Sequence, residues 1–496
     1  MYKLLLTWKY LRRKLAPLFA AVAVTLCTAM TVIVISVMGG FLDTLKDTAR
    51  GTSGDIIVAG GLSGFEDYEG LVDIIRGIEG VAVAEPVLET LGIVKGPRGN
   101  LAVQLQGVDF AGLDGITGFG DLLVWDDATR AERISGMADL AAQVHAAGGD
   151  TAERVPRPEV FTGLLRPLEQ LGSAGSAAER QVAIPGIETL GTHARQDDGG
   201  YDFGYSMVAE SIEITVVPIS AAGAIQNLEA ATRRFTIANE FKSDFYQVDS
   251  GTVVVPFGVL QAMLDMAPTT VTVGADAFGE GGRTESRPGS THQILVKAAD
   301  PAADLDPLES RVRNAVRAYY DGTTHSTPYT PRVYTWREKH GMIIGAVEKE
   351  KGLVTFLFGI ISIVAVVMVA TTFYMIVLEK TRDIGVLRAI GAARAGIASL
   401  FLAYGLAIGL LGAAAGLALA AAIVLNLNWI QDQLAAWFGW RMWDPQTYFF
   451  TEIPARIDPT EALWIGCGAV VASVLGAVIP ALLAARLDPV KALRYE

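Results

Sequence analysis

Cysteine is nearly missing from this sequence: two residues in 496, Cys27 and Cys467. Both fall in long apolar runs, so the stretch between those runs holds no disulfide and has to fold on its own core. Histidine is scarce too, and His145, His193, His292, His325 and His340 show no metal-ligand spacing with cysteine or with one another. No G-x-x-x-x-G-K-[ST] phosphate loop occurs, so ATP is not bound by that route, and no G-x-S-x-G nucleophile elbow occurs either. The chain is therefore expected to be non-catalytic, holding no metal and no cofactor of its own. Charged residues make up only 19% of the chain against 51% apolar, which is too apolar for a wholly soluble protein and far from the signature of disorder. A net charge of −13 argues against nucleic acid, because binding to phosphates needs clustered Lys and Arg.

Four runs contain no Asp, Glu, Lys or Arg: roughly 15–42, 352–378, 395–431 and 462–485. A bilayer core takes about 20 such residues, so each can span it, and nothing between 43 and 351 comes close. The expected fold is a four-helix membrane protein in a 1+3 arrangement, with a large α+β extracytoplasmic domain inserted between helices 1 and 2. The first span has a basic start, as a signal peptide does. It is read as a retained anchor, because the apolar run is too long for an h-region and no small-residue cleavage site follows. The spans lack internal charges that could relay protons or ions, which weighs against an ion-coupled transporter.

Orientation follows from the basic flanks. The start carries Lys3, Lys9, Arg12, Arg13 and Lys14; the loop after span two carries Lys380, Arg382, Arg388 and Arg394; the tail carries Arg486, Lys491 and Arg494. These pieces sum to +8, the 426–461 loop to −3 and the 43–351 segment to −18. Both termini are placed in the cytoplasm of a multi-pass inner-membrane protein, with the acidic domain periplasmic.

The expected organisation is an amphipathic N-terminal helix over 1–14, with Leu4, Trp8, Leu11 and Leu15 on its apolar side. Span and stalk follow over 15–50, then the α+β domain over 51–335. Strand, helix and strand signals over 55–58, 71–78 and 81–88, and again over 293–297, 305–319 and 332–335, give a split βαβ subdomain at 55–90 and 293–335. An inserted subdomain occupies about 100–290, with strands at 101–108, 212–218, 234–240 and 252–256 and a helix at 131–145. Gly/Ser-rich loops fall at 172–176 and 279–290. Stalk and second span cover 336–378, an inner helix 379–394, span three 395–425, an outer loop 426–461, span four 462–485 and the tail 486–496.

Two spans are expected to outrun the bilayer. Trp336, His340, Ile343, Ile344 and Val347 share one helical face, so helix two is placed from Trp336 to Leu378, about 43 residues or roughly 64 Å. Phe41, Leu42, Leu45 and Ala49 extend span one in the same way to Gly51. A stiff rod can carry a displacement across a membrane.

Between spans two and three the chain reads Glu379-Lys380-Thr381-Arg382-Asp383-Ile384-Gly385-Val386-Leu387-Arg388-Ala389-Ile390-Gly391. Ile384, Leu387, Ile390 and Gly391 form an apolar stripe on a segment too short to fold alone. By periodicity it either lies on the lipid surface or docks into a partner's groove. In span three, Gly405, Gly409, Gly412 and Gly416 share one side, where a neighbouring backbone can come close. Trp429, Trp437, Trp440, Trp443 and residues 448–450 read as an interfacial aromatic belt.

The 379–392 segment with the Gly405/Gly409/Gly412/Gly416 face resembles the inner loop and third span of FtsX-like ABC permeases, the MacB, FtsX and LolC/LolE group. The ending Ala484-Ala485-Arg486-Leu487-Asp488-Pro489-Val490-Lys491-Ala492-Leu493-Arg494-Tyr495-Glu496 is similar to that family's A-A-R-x-x-P-V-x-A-L-R-Y-E. Residues 448–454 resemble the Y-F-I-D-x-L-P of LolC/LolE, and 235–241 and 249–256 resemble strands of their outer domain. The stretch from about 110 to 204 departs from the pattern, so no chaperone contact is carried over.

The resemblance implies a permease subunit working as a homodimer or heterodimer with a separate ABC ATPase, which binds the ATP and Mg. It makes 379–394 a coupling helix seated in an ATPase groove, and the cargo a lipoprotein or similar amphiphile, with a periplasmic chaperone as a possible further partner. An FtsX-like regulator of an envelope enzyme and MacB-like efflux are the alternatives.

Overall fold

In the computed structural model the described residues are 15–487 apart from 62–63, 97–98, 148–155, 167–169, 171–180, 196–200, 203–205, 218–229, 244, 274–282, 322–329, 439–442, 444–449 and 451. The helix expected over 1–14, the tail from 488, Trp440, residues 448–449 and the loop at 172–176 lie outside them. The helices used below are, in chain order, α1 (Leu15–Ser53), α2 (Tyr68–Arg76), α3 (Asp127–Ala147), α4 (Asp306–Asp321), α5 (Trp336–Lys339), α6 (Gly341–Glu379), α7 (Thr381–Ala389), α8 (Arg394–Leu425), α9 (Leu427–Phe438) and α10 (Pro459–Arg486). Of these, α1, α6, α8 and α10 are long and apolar enough to cross a membrane. The chain divides into two compact units, one of residues 1–45, 343–443 and 452–496, the other of 46–342 with 444–451.

The first unit is a helical bundle. Its core brings together Val24 of α1, Phe373 of α6, Ile397 and Tyr404 of α8 and Ala477 of α10, with the Phe373 and Tyr404 rings edge-on at 6.0 Å. Small residues let the helices close. A Cβ at Gly405 would sit 2.6 Å from the Ala477 Cβ, and one at Gly409 2.9 Å from the Ser473 Cβ. One at Gly412 would meet the Val24 Cβ at 2.8 Å, and one at Gly416 the Thr28 Cβ at 2.7 Å. The four glycines thus serve two neighbours: Gly405 and Gly409 admit α10, while Gly412 and Gly416 admit α1. Ser473 Oγ adds a buried hydrogen bond to the Gly405 carbonyl at 2.9 Å. The start of α10 is fixed by Asp458, whose carboxylate accepts from the Thr460 and Glu461 amides ahead of a first-turn Pro459. The same two hydrogen bonds hold the Asp458 carboxyl below the ordinary aspartate range.

The second unit is built on one nine-stranded sheet. Its strands in chain order are β1 (Ile56–Ala59), β2 (Val81–Gly96), β3 (Gly99–Val108), β4 (Val182–Pro185), β5 (Ser211–Val216), β6 (Ala231–Ile237), β7 (Thr252–Pro256), β8 (Gln293–Ala298) and β9 (Arg332–Thr335). They pair in the order β9-β1-β8-β2-β3-β7-β4-β6-β5. At one end, α2 joins β1 to β2 around β8, and α4 joins β8 to β9 around β1, a double split βαβ unit. Ile56, Val58, Leu71, Ile75, Val296 and Val312 fill the layer between sheet and helices.

At the other end the sheet closes. β2 pairs a second time, with β5, from Gly92↔Val216 to Lys95↔Glu213. The six strands β2, β3, β7, β4, β6 and β5 therefore form a ring around Leu88, Leu105, Ile214, Phe235, Val253 and Val255.

This alters the expected subdivision. The split βαβ subdomain expected at 55–90 and 293–335 and the inserted subdomain expected at about 100–290 share a single sheet. β2 is 16 residues long and belongs to both, so one sheet runs through the domain. The strand expected at 252–256 is β7, and the helix expected at 131–145 runs longer, as α3.

Candidate functional site

The segment between the second and third apolar helices is a short helix of its own, α7. Its N-terminal boundary is Lys380, which leaves helical geometry at φ −103°, ψ 9°, and whose ammonium pairs with Asp383 at 2.7 Å. Thr381 Oγ1 turns back to donate to the Val377 carbonyl at 3.0 Å. At the other end Gly391 takes φ +105°, a conformation side-chain-bearing residues avoid, and the chain reverses there into α8.

The apolar stripe expected over Ile384, Leu387, Ile390 and Gly391 divides in two. Ile384 is 4% exposed and packs in the bundle core, and Gly385 is buried beside it. Leu387 is 38% and Ile390 80% exposed. Ile384 is therefore an anchor, its burial stabilising α7 by about 2 kcal/mol, and is removed from the exposed stripe. The exposed surface of α7 and the Ile390 that caps it consists of Arg382, Asp383, Val386, Leu387, Ala389 and Ile390. A second anchor was not visible in the sequence: Arg388 Nη1 donates to the Ala485 carbonyl at 2.7 Å, tying α7 to the last turn of α10. Arginine at a helix C-terminus meets carbonyls that lack intrahelical partners, so the bond is charge-assisted on one side.

The stalk also differs from expectation. Helix two does not begin at Trp336. Residues 336–339 form a separate turn, α5, capped by Thr335, whose hydroxyl accepts from the Glu338 amide while the Glu338 carboxylate accepts from the Thr335 amide, each at 3.3 Å. The chain leaves helical geometry at His340 (φ −97°, ψ 8°) and α6 starts at Gly341. The capping box favours a new helix start at Trp336, but it does not register the break at His340. From Gly341 the helix runs 39 residues to Glu379, about 58 Å. Ile343, Ile344 and Val347 lie on it; Ile344 is buried and Ile343 exposed, whereas Trp336 is buried on α5. α1 continues to Ser53, beyond the expected end at Gly51.

Within the second unit a single residue, Asp55, gathers these helix ends through its carboxylate and its backbone carbonyl. Asp55, fully buried, accepts from Arg50 Nε of α1 at 2.6 Å and from the Ala298 amide of β8 at 2.8 Å. Its backbone carbonyl accepts from the Trp336 amide of α5 at 3.1 Å. Arg50 Nη2 also donates to the Pro301 carbonyl, and Ser53 Oγ lies 3.0 Å from His340 Nε2. Burial, and secondarily the Lys339 ammonium, push the His340 imidazole below its ordinary value, opposed by Glu89.

Of the aromatic residues expected at the outer interface, Trp429 and Trp437 are exposed on α9, Trp443 meets Phe41 edge-on at 6.3 Å, and Phe450 is 4% exposed, its ring 5.5 Å from Phe245. Among the described residues no group of three His, Cys, Asp or Glu side chains could hold a metal.

Residues 355–489 match the family described as FtsX-like permease C-terminal. The matched residues run from within α6 to just past the end of α10, so this part of the chain is similar to an FtsX-like permease domain. It is 25% identical over 297 residues to the lipoprotein-releasing system transmembrane protein LolC of Xylella fastidiosa (strain 9a5c), covering 60% of this chain and 62% of that one. To LolC of Haemophilus influenzae it is 28% identical over 167 residues, covering 34% and 39%. The chain therefore spans less than two thirds of the length of these relatives. The periplasmic region of MacB from Actinobacillus actinomycetemcomitans aligns at 10% identity and a TM-score of 0.29, covering 59% of this chain and 93% of that one.

Proposed function

We propose that this chain is the membrane subunit of an ABC transporter in the inner membrane, working as a homodimer or heterodimer with a separate ATPase. In this reading one span precedes the α/β domain and three follow it, both termini are cytoplasmic and the domain is periplasmic. The cargo is a lipoprotein or a similar amphiphile, drawn from the membrane by movement of the domain. The lipoprotein-releasing role named for the LolC relatives supports that choice of cargo.

The observation that carries the proposal is the division of α7. One side, through Ile384 and Arg388, is fixed to the bundle; the other presents Leu387 and Ile390 uncovered beside Arg382 and Asp383. An apolar pair ringed by charge suits a groove on a partner protein. A push on that side acts on α10 through Arg388 and on the core through Ile384, so α7 does not need to unfold to pass the displacement on. The unbroken 39-residue α6 suits the role of lever, with His340 as its pivot.

No chemistry on ATP is asked of this chain; hydrolysis belongs to the partner. Purification of the chain from native membranes tests the reading. An ABC ATPase in a stoichiometric complex is expected, and a chain recovered with no nucleotide-hydrolysing partner overturns it.

A further inference from the structure

A cleft of about 660 Å³ in the sheet unit is lined by Arg313 and Arg317 of α4, Arg332 of the edge strand β9, and Glu338 and Lys339 of α5. Its charge runs against its surroundings. Residues 43–351 carry a net −18, yet here four cations converge on one carboxylate. That carboxylate, Glu338, is occupied in capping α5. Arg313 is paired with Glu309 of its own helix, and Lys339 lies 3.9 Å from Glu89. Arg317 and Arg332 are exposed and make no ion pair among the described residues.

A charged residue on an edge strand is a common guard against pairing with another sheet, and that accounts for Arg332. It does not account for Arg317, which stands four residues from Arg313 on the same helix, where like charges repel. Several guanidinium groups around one hollow hold a mutual repulsion that a bound anion relieves, and their planar forks match the oxygens of phosphate.

We propose that this cleft is a binding site for a phosphate-bearing ligand, its oxygens taken by Arg317 and Arg332. The ligand is either the headgroup of an anionic lipid or a free phosphate compound; the recognition chemistry is the same. This inference does not rest on the transport reading above.

The test uses the full chain in detergent micelles with two probes. One is short-chain phosphatidylglycerol compared with phosphatidylcholine, whose choline neutralises the phosphate, followed by native mass spectrometry. The other is inorganic phosphate, followed by calorimetry. Wild type is expected to bind phosphatidylglycerol at least tenfold more tightly than phosphatidylcholine, or to bind inorganic phosphate. The double variant Arg317→Gln/Arg332→Gln should weaken this at least tenfold, Arg317→Lys/Arg332→Lys should recover part of it, and Arg311→Gln, outside the cleft, should leave it unchanged.

Binding of the lipid alone assigns a headgroup; equal binding of inorganic phosphate assigns a free phosphate compound. Undiminished binding in the double glutamine variant overturns the proposal, as does an equal loss in Arg311→Gln. Preference for a poly-glutamate peptide over both probes also overturns it, since the cleft would then serve an acidic peptide. Thermal unfolding of each variant at the wild-type temperature excludes loss of fold as the cause.

Discussion

Asp55 and Arg50 meet at 2.6 Å where α1 gives way to β1, the carboxylate fully buried and the guanidinium partly open to water. Because Asp55 also accepts from Ala298 of β8 and from the amide of Trp336, it joins a helix end, the sheet and α5 at one residue. Replacing it by alanine leaves the Arg50 charge and the Ala298 amide without that acceptor. Asp55→Ala is expected to destabilise the sheet unit by about 1–3 kcal/mol, because the buried Ala298 amide loses its acceptor while the Arg50 charge can turn to water. Arg50→Ala should cost more, about 3–5 kcal/mol, because it leaves the fully buried carboxylate charge with the Ala298 amide alone. Thermal unfolding and limited proteolysis of the full chain check the ranking, and an Asp55→Ala protein as stable as wild type would remove this junction from the account.

On α7 two neighbouring apolar residues should behave oppositely. Leu387→Asp is expected to abolish stimulated ATPase activity in the purified complex without changing insertion or melting, since its side chain is already partly in water. Ile384→Asp buries a carboxylate in the bundle core and should lower stability by several kcal/mol. Equal ATPase stimulation in Leu387→Asp and wild type rules out docking through this surface.

The glycines of α8 make a steric prediction. Gly416→Val would drive a side chain against the Thr25 carbonyl, 2.8 Å from where a Cβ would lie, and backbone cannot swing aside. A loss of about 1–3 kcal/mol is expected. Gly359→Ala and Gly468→Ala, with nothing within 4 Å, should be neutral or slightly stabilising in their helices. Melting in detergent compares the three.

The His340–Ser53 contact should respond to pH. The imidazole is held below its ordinary value of 6.5, so the unfolded chain binds the proton more readily than the folded one. Stability from this group is therefore fully present above pH 6.5 and is lost as the pH falls below it toward the lower, folded value. Once exchange rates are corrected for their intrinsic pH dependence, hydrogen-exchange protection around Ser53 and His340 should be weaker at pH 5.5 than at 7.5, and His340→Gln should flatten that difference. An unchanged pH response in the glutamine variant would show that another group governs it.

Insertion of Gly-Gly-Pro after Gly345 breaks α6 within its first two turns. ATP turnover is expected to continue while cargo release stops. Release at the wild-type rate in a reconstituted complex would show that α6 need not act as a lever.

Much of this protein is legible without a structure because hydropathy is a local property. Whether a run such as 352–378 prefers lipid to water depends on its own side chains, so the apolar helices and the charged segment between them can be read directly. The strand at 252–256 is legible for a similar reason: Thr252 and three valines between turn residues have few other options. What local pattern cannot supply is the neighbour. Ile384 and Leu387 are equivalent by periodicity, yet only Ile384 meets the bundle core, where α10, about 90 residues further along the chain, packs with α6 and α8.

The same limit applied to the remaining features. Sequence alone determined that Gly405, Gly409, Gly412 and Gly416 lie on one side of a helix; the tertiary structure decided that two admit α10 and two admit α1. It likewise decided that β2 would pair with β5 to close a ring, that Phe450 would pack on Phe245, and that helix two would restart at Gly341. Each outcome depends on which distant surfaces can be buried together at once, and that free energy belongs to the assembled chain, not to any window of it.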